Sequence, residues 1–196
     1  MLADRHLYLV TPVRPDFAAF LEAAIRGGVD VIQVRERSLT DGALLDVLVE
    51  ARVLTAAHGI PFGVNDRPDL AVLAGADFVH VGQEDIPVEE ARRFGLPVGL
   101  STHAPEEIDT AGSDYIAVGP VHATPTKEGR PAVGLELVRY AAAKAKLPWF
   151  AIGGIDPANV ADVVGAGATR IAVVRAIVEA NDPERAAREL RDALPS

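Results

Sequence analysis

The sequence predicts an α/β fold of the (β/α)8, or TIM-barrel, type, formed as a single domain over residues 1–196. Two observations support this prediction. Short apolar or β-branched segments recur eight times, and each is followed by a turn and a segment with helical spacing of apolar residues. Strands joined through helices must run parallel. Eight such units in 196 residues fit a compact barrel near the lower end of that fold's size range.

The predicted strands are short and separated by turn residues. In chain order they are 7–11, 29–36, 61–66, 78–82, 97–102, 115–119, 149–154 and 170–175. Between them, segments 16–28 and 40–59 show apolar residues at spacings of three and four, and glycine ends both. The alternative is an open doubly wound sheet, but its usual G-x-G-x-x-G sequence is replaced after the first strand by TPVRPDF, which favours the barrel.

Composition narrows the class of protein. Apolar residues make up 49% of the chain, and 19 basic against 28 acidic residues give a net charge of −9, which argues against a nucleic-acid surface. The sequence has neither a run of about 18 apolar residues nor a signal-peptide pattern, so we expect a cytoplasmic protein with no membrane contact. Without cysteine, a metal would be held by oxygen or imidazole.

The second strand carries charge toward the predicted barrel interior. Alternation places Gln33, Arg35 and Arg37 on the same side. A half-buried guanidinium needs an anion or a carboxylate nearby. A structural ion pair would satisfy Arg35 alone, whereas two guanidiniums and an amide together favour an anionic ligand.

Two carboxylates are predicted at the ends of neighbouring strands. Asn65 and Asp66 end the third strand, and Asp85 follows the fourth. Two unit charges about 4 Å apart repel by about 4 kcal/mol at an effective dielectric near 20, so a close pair facing a phosphate needs a cation. Oxygen ligands together with phosphates indicate Mg²⁺. The alternative is that Asp66 and Asp85 cap the helices that begin near Pro68 and Pro87.

The fifth strand offers small residues at its end. Gly99 and Ser101 are predicted on the inner face, where they would leave room for a ligand, and Ser101 could bind a phosphate oxygen. Helix capping is assigned instead to Thr102 or His103, which precede the next helical segment.

The last strands and the loop after the sixth complete the predicted rim. Gly153–Gly154 and Val174–Ala176 are typical of the phosphate cradle formed by backbone N–H groups in barrels, although tight turns also use glycine. The proline-rich loop 119–135 carries Thr124, Thr126 and Lys127, and we expect the lysine to face an anion below it.

Together these segments resemble the ordered motif series of the thiamine phosphate synthases over nearly the whole chain. The motifs are QVRER, GVNDRPDLA, GADFVHVGQEDIP, GLSTH, DYIAVGPVHATPTKEG, AIGGI and AVVRAI. The resemblance implies a transferase that joins a 4-aminopyrimidine methyl diphosphate to a thiazole phosphate and releases pyrophosphate. It also implies small phosphorylated substrates and Mg²⁺ as cofactor, and it is compatible with a homo-oligomer.

The resemblance assigns roles by position. The pyrimidine diphosphate would be held by Gln33, Arg35, Arg37, Asn65, Ser101 and Lys127. Its magnesium would be held by Asp66 and Asp85. The thiazole phosphate would be bound by Thr124, Thr126, Gly154, Val174 and Arg175, and the substrate-binding set is completed by Val34, Glu36 and Pro125. Catalysis would depend most on Lys127, Ser101 and Arg35.

Some positions depart from the family pattern. Arg37 stands where lysine is usual, Arg175 where many members have a small residue such as serine, and Pro12 where aspartate is common. These departures raise the related thiazole tautomerases as an alternative, with His122 as the base. His122 lies two positions from the expected place, and a tautomerase has no need for Asp66 and Asp85, so the synthase is favoured. A third alternative is a phosphate-sensing barrel without activity.

Overall fold

The computed structural model describes residues 2–123 and 132–195, and it forms a closed barrel of eight parallel strands in chain order. The strands are β1 (Leu7–Thr11), β2 (Val31–Val34), β3 (Phe62–Asn65), β4 (Phe78–Val81), β5 (Val98–Thr102), β6 (Tyr115–Val118), β7 (Trp149–Ile152) and β8 (Ile171–Val173). All eight predicted strands are present. Pairing of β1 with β8, with Leu7 opposite Ile171, closes the barrel, so the open-sheet alternative is wrong.

Helices alternate with the strands. They are α1 (Phe17–Arg26), α2 (Asp41–Ala57), α3 (Pro68–Leu73), α4 (Val88–Arg92), α5 (Pro105–Thr110), α6 (Gly134–Lys144), α7 (Val160–Gly165), α8 (Arg175–Val178) and α9 (Pro183–Asp192). The glycines predicted to end the first two helices do so, since Gly28 and Gly59 have φ angles of 107° and 64°. Within 2–123 and 132–195, no helix is both long and apolar enough to cross a membrane.

Strand alternation separates two buried layers. Side chains such as Leu9, Ile32 and Val34 point outward and pack against the helices as the main core. The inward layer is smaller and aromatic, with Tyr8, Phe78, Tyr115 and Phe150 at its centre. These four rings meet mostly edge to face, with centroid separations of 5.2 to 6.2 Å. The lower half of the barrel interior is therefore a packed aromatic layer.

Two strand glycines make room for these rings. A Cβ at Gly63 would overlap the ring of Phe78, and a Cβ at Gly99 would overlap the ring of Tyr115. The expectation that Gly99 leaves room for a ligand is therefore wrong. The aromatic side chain of the neighbouring strand β6 already fills the space that Gly99 provides.

The C-terminal helix packs on the start of the chain. Ala187 and Leu190 of α9 are fully buried, and α9 contacts both α1 and β1. A Cβ at Gly27, which follows α1, would overlap the carbonyl oxygen of Glu184, so a glycine there lets the two helices approach closely. This contact covers the seam where the first and last strands meet.

Candidate active site

A cavity of about 280 Å³ opens at the carboxyl ends of the strands, above the aromatic layer. Its lining includes Gln33, Arg35, Asn65, Ser101, Gly154 and Arg175. Residues predicted from separate strand ends are thus brought together at the face where TIM barrels carry out chemistry.

The three polar residues of β2 and its extension occupy different depths. Gln33 is buried and donates a 2.7 Å hydrogen bond from Nε2 to Oδ1 of Asn65. Arg35 lines the cavity, and within the described residues its guanidinium makes no hydrogen bond or ion pair. Burial, followed by the nearby Arg37, lowers the pKa of Arg35, although a guanidinium stays charged at neutral pH. Arg35 is therefore a partly desolvated cation that is attracted by the Asp66 and Asp85 carboxylates but makes no direct ion pair with any side chain that the structure describes.

Arg37 lies outside the cavity. Its side chain is 64% exposed and donates a 2.9 Å hydrogen bond to the Asp66 carboxylate. The shared inner position predicted for Arg35 and Arg37 therefore holds only for Arg35. The strand ends at Val34, and beyond it the strict alternation of a strand no longer applies.

Val34 and Glu36, both expected in the substrate-binding set, point elsewhere. The Val34 side chain belongs to the core between strands and helices. The Glu36 carboxylate accepts hydrogen bonds from the backbone N–H groups of Val13, Arg37 and Ser38 and from the Ser38 hydroxyl. Glu36 thus ties the loop after β1 to the loop after β2, and its binding of substrate stays a prediction.

Asp66 and Asp85 come together as predicted. Burial raises the pKa of Asp66, the hydrogen bond from Arg37 opposes that rise, and the neighbouring Asp85 carboxylate adds to it. Asp66 has a φ of 60°, in the left-handed region that aspartate tolerates better than most residues. Asp85 also accepts a 2.8 Å hydrogen bond from the N–H of Gly82.

The helix-capping alternatives are wrong. Arg67 and Pro87 occupy the N-cap positions of α3 and α4, and neither helix has a side-chain cap. The N-cap of α5 is Ala104, so Thr102 and His103 do not cap it. Each true cap position lies one or two residues beyond the polar residue that the sequence suggested.

The carboxylate pair fits a divalent cation. Among residues 2–123 and 132–195, no group of three or more acidic, histidine or cysteine side chains could hold a metal by itself. Mg²⁺, however, binds through one or two carboxylates together with waters and substrate phosphates. Burial is the main cause of the raised pKa of Asp66 and the Asp85 carboxylate adds to it, so a bound cation would favour the ionised form of Asp66.

Ser101 lies in the cavity wall and belongs to a polar network. Its hydroxyl is 3.0 Å from Nε2 of His80, and Nδ1 of His80 is 2.9 Å from the Tyr115 hydroxyl. Both ring nitrogens of His80 thus have partners, and His80 also lines the cavity. Tyr8 joins the network through the Tyr115 hydroxyl. Sequence reasoning missed both tyrosines, although inward alternation from Val10 and Ala117 would have found them.

The turn after β7 is held by Asn159. Its Nδ2 donates a 2.8 Å hydrogen bond to the carbonyl of Gly154, and its Oδ1 accepts one from the N–H of Asp156. Gly153 and Gly154 have φ angles of 107° and 62°, so this turn requires glycine. The turn predicted to bind phosphate is therefore held in one conformation by these hydrogen bonds. The sequence analysis did not identify Asn159, which makes them.

The loop after β6 starts against this turn. The N–H of His122 donates to the carbonyl of Gly153, and a Cβ at Gly154 would approach the His122 side chain at 2.8 Å. Nε2 of His122 is buried and has no hydrogen-bond partner in the described part of the chain, but His122 does not line the cavity. The predicted residues Thr124, Pro125, Thr126 and Lys127 lie outside the described residues.

Val174 and Arg175 line the cavity at the start of α8, as predicted. The Arg175 guanidinium makes no ion pair with any side chain that the structure describes, although Asp156 and Glu179 line the same side of the cavity. Arg35 and Arg175 are therefore two cations of the cavity wall that make no direct ion pair with those residues. This arrangement suits a ligand with anionic groups at two places.

Comparison with known proteins agrees with this geometry. A family model described as thiamine monophosphate synthase matches residues 7–177. A thiamine-phosphate synthase of Thermus thermophilus is 53% identical over 96% of this chain and 96% of its own length, and one of Arthrobacter is 48% identical over 99% and 96%. The solved thiamine phosphate pyrophosphorylase of Pyrococcus furiosus is 32% identical, with a TM-score of 0.88 over 97% of this chain and 96% of that one. The chain belongs to the thiamine monophosphate synthase family.

Proposed function

We propose that this protein condenses 4-amino-2-methyl-5-(diphosphooxymethyl)pyrimidine with a thiazole phosphate to give thiamine phosphate and pyrophosphate. The observation that carries the proposal is a cavity lined by Arg35, whose guanidinium is attracted by the neighbouring carboxylates of Asp66 and Asp85. Such a site attracts a diphosphate through the guanidinium and through a cation held by the two carboxylates.

The reaction needs charge stabilisation more than acid–base chemistry. The bond between the pyrimidine methylene carbon and the diphosphate oxygen breaks, and its electron pair leaves with pyrophosphate. The lone pair of the thiazole nitrogen then forms the new carbon–nitrogen bond. Arg35 would stabilise the charge that accumulates on the leaving group, because it is fixed in the cavity wall and partly removed from water.

The two substrates would occupy opposite sides of the cavity. Gln33, Asn65 and Ser101 lie on the side of Arg35 and would hold the pyrimidine diphosphate, together with Arg37 and Lys127. Gly154, Val174 and Arg175 lie across the cavity and would hold the thiazole phosphate, together with Thr124 and Thr126. Holding both substrates in one orientation removes much of the entropic cost of bringing them together.

Magnesium would be held by Asp66 and Asp85 together with oxygens of the diphosphate. When bound, it neutralises charge on the leaving group. The protein would contribute the two carboxylates to this site. They repel one another, and a bound cation would reduce that repulsion.

The direct test is product formation. Purified protein, both substrates and Mg²⁺ should yield equal amounts of pyrophosphate and thiamine phosphate, measured by a coupled phosphate assay and by chromatography. Asp85→Asn should lower the rate and weaken its dependence on Mg²⁺, whereas the exposed Asp192→Asn should change neither. A wild-type rate no higher than that of a protein-free control would refute the proposal.

The same assay separates the synthase from a thiazole isomerase. His122, the base that an isomerase would need, does not line the cavity. We therefore expect His122→Ala to keep synthase activity within about twofold. Isomerisation of the thiazole phosphate that disappears in this variant, without thiamine phosphate formation in the wild type, would favour the isomerase instead.

A further inference from the structure

The turn after β3 holds Asp66 in a backbone conformation that few residues adopt. Its φ of 60° is the one positive value outside glycine in residues 2–123 and 132–195. The N–H of Arg67 donates a 2.8 Å hydrogen bond to the carbonyl of Asn65, so the chain reverses over Asp66 alone. A γ-turn with a positive φ at its centre is rare and strained. Such a turn persists only where the surrounding contacts hold it.

The Arg67 side chain supplies contacts of this kind. Its Nε and Nη2 donate hydrogen bonds of 2.9 and 2.7 Å to the two oxygens of the Asp69 carboxylate. Its Nη1 and Nη2 donate hydrogen bonds of 2.6 and 2.9 Å to the two oxygens of Asp41. These bonds lower the pKa of both carboxyl groups, so both are ionised at neutral pH. One guanidinium is therefore bound by two carboxylates, each through both of its oxygens.

One of these carboxylates belongs to another part of the barrel. Asp41 is the first residue of α2 and lies 26 residues from Arg67 along the chain. It ends the loop after β2, which carries Arg35 and Arg37, whereas Arg67 directly follows Asp66. Arg67 therefore joins the loop that carries two cations to the turn that carries the carboxylate.

The same two segments have a second link, which involves groups proposed to bind ligands. The Arg37 guanidinium donates a 2.9 Å hydrogen bond to the Asp66 carboxylate. When diphosphate and Mg²⁺ bind, these two groups exchange this bond for contacts with the ligands. The bonds of Arg67 end on Asp41 and Asp69, which do not line the cavity. The Arg67 link is therefore able to hold the turn while Arg37 and Asp66 change partners.

We propose that Arg67 is a positioning residue that, by binding Asp41 and Asp69, holds the turn at Asp66 and keeps the Asp66 carboxylate beside Asp85. Without the guanidinium, the turn relaxes to a negative φ and the carboxylate leaves this position. Resting on the proposed function, the inference assigns Arg67 to the metal and diphosphate side of the site. Lysine does not replace it, because an ammonium group lacks the planar fork that binds both oxygens of a carboxylate.

Amide hydrogen exchange tests the turn without metal or substrate. In Arg67→Gln, the backbone N–H at position 67 should exchange about tenfold faster than in the wild type, the loss of roughly one net hydrogen bond. Exchange in β7, across the barrel, should not change. Arg139→Gln is the matched control, because Arg139 pairs with Glu136 of its own helix α6, and it should leave position 67 unaffected. Unchanged exchange at position 67 in Arg67→Gln, or equal acceleration throughout the barrel, would overturn the proposal.

A double-mutant cycle tests the link between the two segments. Asp41→Asn removes the charge that Arg67 binds on α2 and leaves the arginine in place. It should also accelerate exchange at position 67, and adding it to Arg67→Gln should have little further effect, because residues of one ion-pair network are not additive. Full additivity would show that the two residues act independently and would contradict the proposal. Asp41→Asn alone remains a test if Arg67→Gln does not fold.

Binding of pyrophosphate tests the metal side. In calorimetric titrations with Mg²⁺ present, the Kd for pyrophosphate should rise by about tenfold in Arg67→Gln, since groups that orient metal ligands contribute about 10- to 100-fold to affinity. Arg67→Lys should not restore the wild-type value. With EDTA in place of Mg²⁺, wild type and Arg67→Gln should bind pyrophosphate equally. The same ratio of Kd values with and without Mg²⁺ would contradict a role toward the metal.

Kinetics separate this inference from the proposed function. In Arg67→Gln, the KM for the pyrimidine diphosphate and the Mg²⁺ concentration for half-maximal rate should rise by about tenfold. The KM for the thiazole phosphate should not change, and equal increases in both KM values would overturn the assignment of Arg67. A wild type that forms no thiamine phosphate would refute the proposed function alone, because hydrogen exchange at position 67 needs no turnover.

Discussion

At the scale of single residues, the site is built from charges placed where they are costly without a ligand. Arg35 is a partly buried cation, and Asp66 is a partly buried carboxylate beside Asp85. Burial disfavours the charged form of each side chain, and the opposite charge of a bound diphosphate or cation would favour it. Binding and stability therefore oppose one another at these positions.

Asp66→Asn should stabilise the metal-free protein. Because the pKa of Asp66 is raised in the folded state, ionisation lowers the free energy of unfolding; this loss is absent below the unfolded pKa, grows between the unfolded and the folded pKa, and is complete above the folded pKa. Asparagine avoids this cost and tolerates the left-handed backbone. The lost ion pair with the exposed Arg37 is worth little.

Thermal unfolding measured by circular dichroism tests this prediction. The midpoint of the variant at pH 7 should exceed that of the wild type, each kcal/mol corresponding to about 2 to 4 °C, and the difference should vanish below about pH 4. Mg²⁺ should raise the midpoint of the wild type and not that of the variant. The exposed Asp41→Asn, where Arg67 lowers the carboxyl pKa, should show no rise. A lower midpoint for Asp66→Asn would show that the carboxylate stabilises the free protein.

Gly99→Ala should destabilise the barrel by about 1 to 3 kcal/mol. The added methyl group overlaps the Tyr115 ring, which is buried and hydrogen-bonded at its hydroxyl and cannot move aside without breaking those bonds. Gly42→Ala is the control, because that glycine lies in α2 with nothing within 4 Å. It should stabilise by about 0.5 to 1 kcal/mol. Urea denaturation distinguishes the two, and equal midpoints would show that the interior is loosely packed.

The charged residues of the site were predictable from the sequence, while their surroundings were not. The sequence identifies Arg35, Asp66 and Asp85 because a charged side chain at the end of a buried strand needs an opposite charge or a ligand nearby. The space beside Gly99 was misassigned because the ring that fills it comes from Tyr115 on the next strand. Which side chains meet across strands depends on the register of the closed barrel, and the sequence of one strand does not contain it.

At the scale of elements, short turns after the strands carry the binding groups, and side chains outside the cavity hold those turns. Glu36 ties the loops after β1 and β2, and Asn159 holds the turn between β7 and α7. The sequence placed every strand correctly, because apolar runs mark strands clearly. It placed the helix caps wrongly, since each cap depends on the turn geometry between strand and helix.

Asn159→Ala should impair the thiazole phosphate side alone. The variant loses two hydrogen bonds that hold this turn. One is from Asn159 Nδ2 to the carbonyl of Gly154, and the other is from the N–H of Asp156 to Asn159 Oδ1. We expect the KM for the thiazole phosphate to rise by about tenfold, the loss of about one net hydrogen bond, and the KM for the pyrimidine diphosphate to stay within twofold. Steady-state kinetics measure both values.

The matched control is Asn181→Ala, since that asparagine is exposed and lies beyond α8. Its kinetic constants should equal those of the wild type. An increase in the KM for the pyrimidine diphosphate in Asn159→Ala would show that the turn supports the whole cavity and not one substrate.

At the scale of the whole molecule, closure joins the two ends of the chain. Strand β1 pairs with β8, and α9 packs on α1 through Ala187 and Leu190. The barrel itself followed from the sequence because eight alternating units leave few other parallel arrangements. The packing of α9 on α1 and β1 could not be predicted from the sequence, because no strand follows this helix to fix its position.

Leu190→Ala should lower the stability of the whole barrel. Truncating a fully buried leucine costs about 2 to 5 kcal/mol. Trp149, the single tryptophan, lies in β7 and away from α9, so its fluorescence reports whether the loss is global. The urea midpoint seen by Trp149 should fall. Leu73→Ala, at a residue 66% exposed, should change stability by no more than about 0.5 kcal/mol. An unchanged Trp149 midpoint would mean that α9 unfolds independently.

The barrel is not hollow along its whole length, because the rings of Tyr8, Phe78, Tyr115 and Phe150 fill its interior below the cavity. Because this layer fills the interior, substrates and pyrophosphate would enter and leave at the carboxyl ends of the strands. The opposite end of the barrel is therefore free to change in sequence without altering the path that substrates and pyrophosphate take.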